Sequence, residues 1–207
     1  MNRLICCLAV VVALVVPASA DIVTNGQFLG SAGGFTTVNA GSNTIPGWTV
    51  TVGSVDWIGN YWSAPVGQSV DMDGNSPGAI SQDITTVTGQ TYWLSFWLAG
   101  NPDGHGNPVP AVNPKKLTVS AVNLNDSSLL STQDYLHQWD LTWTLESFHF
   151  TATGSQTTLA FTSGDSGGPY GPVVADIRVP GPDFYTEFAL GLSGLGLLMF
   201  FRRKRQA

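Results

Sequence analysis

Trp93, Ser95 and Trp97 alternate with Tyr92, Leu94, Phe96 and Leu98 in one apolar run. On a strand, alternate residues share a face, so the second set reads as core and the two tryptophans stand together on the opposite side. Four residues at roughly 3.3 Å each place their indoles about 13 Å apart. Indoles so spaced can stack on the apolar faces of sugar rings in an extended chain, with the Ser95 hydroxyl between them to orient sugar hydroxyls. The competing reading is a loop or the C-terminal segment covering both. Tyr61 and Trp62, beside Gly59-Asn60, fall in a turn, where side chains can line the mouth of a groove. Trp48, Trp57 and Trp143 read as core, and Trp139 is unassigned.

Carboxylates offer a second chemistry. Asp71 and Asp73 are two apart, on one face of a strand, and Gly74 permits a turn after them. Paired oxygen donors suit calcium, although Gln82 stands at the twelfth position, where an EF-hand needs a bidentate glutamate. A solvated turn explains the same residues. Glu146 is the only glutamate between residues 21 and 180, so no acid pair for glycoside cleavage stands out. Gly164-Asp165-Ser166-Gly167-Gly168-Pro169 resembles the nucleophile loop of chymotrypsin-like proteases. His105, His137 and His149 lack that family's Ala-Ala-His-Cys setting, and the segment is short for two six-stranded barrels. Gly, Ser and Asp are ordinary turn residues, and no enzymatic activity is expected.

The elements that must carry these groups are strands. Thr49 to Val55, Gln68 to Met72, Ala79 to Ile84, Thr91 to Ala99, Lys116 to Val122, Thr144 to Ala152, Thr157 to Thr162 and Val173 to Val179 are rich in β-branched and aromatic residues. Gly, Pro, Asn and Asp clusters separate them. Many short strands at this spacing predict an all-β chain, a jelly-roll β-sandwich. Gly100 to Pro114 is a long loop of the kind that is functional or disordered.

Both ends differ from the middle. Residues 1–20 read as a signal peptide, with Arg3, an apolar stretch from Leu4 to Val16 and Ala18-Ser19-Ala20 as the cleavage site. Its removal takes Cys6 and Cys7, so no disulfide or cysteine-ligated metal is expected in the exported domain, residues 21–179. Residues 180–207 read as a transmembrane anchor helix ending in Arg202, Arg203, Lys204 and Arg205. Its apolar run from Phe188 to Phe201 spans about 21 Å as a helix, short of a bilayer core of about 30 Å. Between Asp21 and Pro180, three basic residues face twelve acidic ones, a formal charge of −9. Such a surface repels phosphate backbones and argues against nucleic-acid partners.

Several phrases recur in a recognisable order: Asn25-Gly26-Gln27-Phe28, Ile45-Pro46-Gly47-Trp48, Gly53-Ser54-Val55-Asp56-Trp57, Ser69 to Gly74 and Pro77 to Gln82, then Tyr92 to Asn101, Phe148 to Ala152 and Gly171-Pro172 with Asp176. This set resembles the choice-of-anchor C family of bacterial envelope proteins and is similar to plant cell-wall proteins built on galactose-binding-like jelly rolls. The resemblance implies a non-catalytic domain that binds polysaccharide of the envelope or matrix; a purely structural or protein-binding surface domain is the alternative. It also implies a structural calcium near Asn25 and Asp176, with Leu29 standing where such domains commonly carry glutamate. Val179-Pro180-Gly181-Pro182, the apolar run and the basic cluster together resemble the PEP-CTERM sorting signal, with Gly181 in place of its glutamate. That resemblance implies membrane attachment and a sortase-type processing enzyme as partner.

Overall fold

The structure is a computed structural model and describes residues 20–104 and 114–181. Eleven strands are formed among them: β1 Phe35–Asn39, β2 Thr49–Val52, β3 Ser54–Ile58, β4 Ser69–Asp71, β5 Ala79–Thr85, β6 Thr91–Gly100, β7 Lys115–Asn123, β8 Leu129–His137, β9 Thr144–Thr151, β10 Gln156–Ser163 and β11 Pro172–Arg178. A six-stranded sheet runs β1-β3-β4-β11-β6-β9, and a five-stranded sheet runs β2-β5-β10-β7-β8. Every pairing between named strands is antiparallel. The all-β jelly-roll sandwich follows, because each sheet has one apolar face to bury.

Alternation decides which face that is. Tyr92, Leu94, Phe96 and Leu98 of β6 are buried in a single core cluster, together with Leu117 and Val119 of β7 and Leu159 and Phe161 of β10. Phe96 bridges the sheets, meeting Tyr135 of β8 edge-on at 5.2 Å and Phe161 at 5.5 Å between ring centroids. Aromatic pairs of this kind add roughly 0.5–1.5 kcal/mol each beyond the area they bury.

Three differences from the sequence reading have physical causes. The stretch expected as one strand from Thr49 to Val55 is two, β2 and the start of β3, in different sheets. The corner is Gly53, at φ +54°, where an added Cβ would lie 2.0 Å from the Pro77 carbonyl oxygen. Only glycine fits there. The other two are unexpected strands, β1 and β8, which both lie at sheet edges and each bury a single side chain, Val38 and Tyr135. With so little facing the core, neither carries a clear alternation.

The two ends of the folded body meet. Asp21 pairs with Pro180, Ile22 N–H donates to Val179 O, and Gly181 N–H donates to Ala20 O. Val179 is fully buried, its N–H donating to Asp21 Oδ1. Val179 and Pro180, expected to begin the sorting tail, are thus built into the sandwich. The expectations for residues 1–19, for Pro182 and for Arg202 to Arg205 lie outside the described residues. Among the described residues no helix is long and apolar enough to cross a membrane.

Candidate functional site

Trp57 points into the core, where its indole donates to Phe28 O at 2.6 Å. Alternation therefore turns Asp56 and Ile58 of β3 to the outer face of the six-stranded sheet. Their register partners Thr37 and Phe35 on β1 share that face. Loops from four places rise around these side chains, and the result is a cleft of about 470 Å³. Phe35, Thr37, Asp56 and Ile58 form one part of its lining, and Tyr61, Trp62, Gly74, Asn75, Asn101, Asp103, Pro169 and Tyr170 form the rest. That volume lies within the range of small-ligand sites.

The rings are held by neighbours. Tyr61 packs against Phe35 edge-on at 5.5 Å and against Trp62 at 5.3 Å. Its hydroxyl donates to Asp103 Oδ2 at 2.8 Å, and this bond to a carboxylate raises the phenol pKa. The Trp62 indole N–H donates to Ser69 Oγ at 3.0 Å. Asp103 N–H donates to Asn101 Oδ1, and Asn101 Nδ2 donates in turn to Asp71 Oδ2 at 2.6 Å. Burial raises the Asp56 carboxyl above its usual range, opposed by the Thr37 hydroxyl, which donates to Oδ1 at 2.6 Å. The site is thus preorganised: hydrogen bonds fix its aromatic faces before any ligand arrives.

Beneath the cleft is a buried polar network. Asp71 is inaccessible, and Oδ1 accepts the N–H groups of Asp73 and Gly171 at 3.0 Å each. Desolvation pushes its pKa well above the carboxylate range despite these donors. Asp73 is also buried, and neither of its oxygens meets a donor in hydrogen-bond geometry. Burial pushes its carboxyl up to about 7, opposed by the nearby Ser163 hydroxyl and by Lys115. The Lys115 ammonium, itself wholly buried, pairs with Asp165 Oδ2 at 3.1 Å and donates to Tyr170 O. The protease-like loop therefore has a structural use: Asp165 ties residues 164–171 to Lys115 and thereby sets the Tyr170 wall. Ser166 is exposed, while His149 stacks on Trp93 and His137 bonds Gln138 O.

The sequence-derived candidates divide between places. Tyr61 and Trp62 line the cleft. Trp93, Ser95 and Trp97 lie on the same outer face but outside it. Trp93 is 49% exposed and stacks on His149 at 4.8 Å, and Trp97 is half-buried. Ile58, Ser69, Ala175, Trp97 and Leu145 are successive register partners across the sheet. Trp62, bonded to Ser69, is then about two strands or 10 Å from Trp97. Trp48 is buried as expected, whereas Trp143 is half-buried. Phe35, Asp56, Asn101, Asp103 and Tyr170 were not among the candidates. The parity of Trp57 was the available signal for Asp56, and the long loop the signal for Asn101 and Asp103.

Neither candidate pair fits calcium. Asn25 and Asp176 do meet in one cavity of about 280 Å³, both at positive φ. The Arg178 guanidinium, however, takes both Asp176 oxygens at 2.9 Å through Nε, and the Asn25 side chain is spent on Leu29 N–H, Leu29 O and Pro46 O. Asp71 is saturated by N–H donors, which leaves Asp73 a single free carboxylate, too few for an ion that takes roughly six to eight oxygens. Among the described residues no three metal-ligating side chains converge.

A family model described as "Protein of unknown function (DUF642)" matches residues 21–180. Halomucin of Haloquadratum walsbyi is 32% identical over 174 residues, a match covering 74% of this chain and 2% of that protein. The chain thus spans a small fraction of the curated relative it matches. Similar solved structures include TmCBM61 in complex with β-1,4-galactotriose, at 11% identity and TM-score 0.49, covering 79% of this chain and 99% of that one. CBM35 from Paenibacillus barcinonensis matches at 19% identity and TM-score 0.43, covering 70% and 97%.

Proposed function

The chain belongs to the DUF642 family, and on that premise we propose that its sandwich is a non-catalytic module that binds polysaccharide of the cell envelope or matrix. The observation that carries this reading is the cleft, where Phe35, Tyr61, Trp62 and Tyr170 stand among Asp, Asn and Thr side chains. A pyranose has an apolar C–H face and a rim of hydroxyls. Aromatic faces take the first, and fixed acceptors and amides take the second. Nothing else in the cleft demands reaction chemistry: its described lining holds no histidine, and its two carboxylates are hydrogen-bonded to Tyr61 and Thr37.

Trp97 and Trp93 extend the same face beyond the cleft and are secondary contacts for a long chain. Export by residues 1–20, membrane attachment through residues 180–207 and sortase-type processing belong to the same proposal and rest on the sequence patterns alone. The test is affinity electrophoresis of the full chain in gels containing soluble polysaccharides. Tyr61→Ala with Trp62→Ala should remove retardation, with Trp62→Phe keeping most of it and the melting temperature monitored in each. Trp93→Ala with Trp97→Ala should weaken only the longest ligands. Retention unchanged in the Tyr61/Trp62 variant would overturn the cleft as the site.

A further inference from the structure

We propose that the cleft takes uncharged polysaccharide and rejects polyanionic chains such as uronate polymers. The proposal rests on the reading of the cleft as the glycan site and adds the ligand class. Two carboxylates, Asp56 and Asp103, line it, and no described lining residue is Lys, Arg or His. Among the described residues the wider surface supplies no unpaired Lys or Arg, because all three such side chains there are already in ion pairs. Lys115 is buried against Asp165 at 3.1 Å, Lys116 pairs with Asp134 at 2.8 Å, and Arg178 pairs with Asp176 at 2.9 Å. Lys116 and Asp134 are on β7 and β8 of the other sheet, and Arg178 is at the far end of β11 from Tyr170.

A uronate in the cleft would therefore face two carboxylates with no partner for its own charge. Juxtaposed like charges act as an element of rejection. A neutral sugar meets the same carboxylates as acceptors for its hydroxyls, and hydrogen bonds to a charged acceptor are the strong ones. Selection thus comes from the same two residues as affinity.

The probes are a soluble β-1,4-galactan, a mixed-linkage β-glucan, and the C6-carboxylate form of each, which keeps the backbone and adds charge. The full chain should bind the neutral polymers and bind their oxidised forms about tenfold or more weakly at low salt, with the gap narrowing as salt screens it. Asp56→Asn with Asp103→Asn should move the ratio of the two affinities toward one, whatever it does to neutral binding. Equal binding of neutral and oxidised polymer by the unsubstituted chain, or a ratio unmoved in the variant, would overturn the proposal while leaving the cleft as a glycan site. Failure to bind any polymer would instead remove the glycan reading on which it rests.

Discussion

Replacing Asp73 with asparagine should make this protein more stable in alkaline solution and less stable in acid. The carboxyl is buried, meets no hydrogen-bond donor in good geometry and is pushed from 3.8 to about 7. A shift of about 3 units at roughly 1.4 kcal/mol each means that holding the ionised form inside costs up to about 4 kcal/mol. The folded pKa lies above the unfolded one, so the folded state binds more protons between the two values. The contribution of Asp73 to stability is therefore most favourable below about pH 4, falls as pH rises toward about 7 and is level above that. The substituted amide carries no charge to bury, but its polar groups are left short of partners, at a cost of about 1–3 kcal/mol. Urea unfolding of both proteins from about pH 4.5 to about pH 8.5 gives the difference curve. It should start with the variant weaker and rise by about 3 kcal/mol in its favour, since about 1 kcal/mol of the effect is already expressed at about pH 4.5. Asp71 is raised in the same direction and is present in both proteins, and relief of its repulsion with Asp73 adds to the rise. A difference curve that stays flat, or slopes the other way, would refute the reasoning: Asp73 would then be ionised at low pH and paired with Lys115.

Lys115→Met should destabilise the sandwich by about 3–5 kcal/mol, because it strands the buried Asp165 carboxylate; Asp165→Leu in the same chain should recover much of the loss in denaturant unfolding. Adding a calcium chelator, or millimolar calcium, should leave the melting temperature unchanged, since Arg178 occupies the Asp176 carboxylate. A rise of several degrees with calcium would refute that assignment.

The legible part of this fold was the part that alternates. β6 could be read residue by residue, because Tyr92, Leu94, Phe96 and Leu98 all face one core. β8, of similar length, could not, because only Tyr135 of its nine residues is buried. The cleft was legible in halves. Tyr61 and Trp62 stood out as aromatic residues in a turn, while Asp56 fell just past the strand expected to end at Val55, so the parity set by Trp57, read as core, did not reach it. Tyr170 lay beside a protease-like phrase that drew attention to Ser166, an exposed residue, while His137 and His149 are engaged with Gln138 and Trp93. Lys115 is the hardest case. A lysine at a strand start reads as solvent-facing, and only the fold brings Asp165 and the Tyr170 carbonyl to it from about fifty residues away.

The placement of β11 has a mechanical consequence. The strand is flanked by β4 and β6, begins two residues after Tyr170 on the cleft wall and ends directly before Val179. A pull between a ligand gripped at that wall and the chain beyond Gly181 therefore runs along β11, a strand about 23 Å long. Force in that direction loads the ladders on both flanks together, in shear, so their bonds must yield as a group. The peeling geometry, in which bonds break singly and in sequence, arises instead when the two chain ends are drawn apart at Asp21 and Pro180. A domain gripped through the cleft and held by its C-terminal end resists in its strong direction, whereas the same domain strung by both ends would open from that corner.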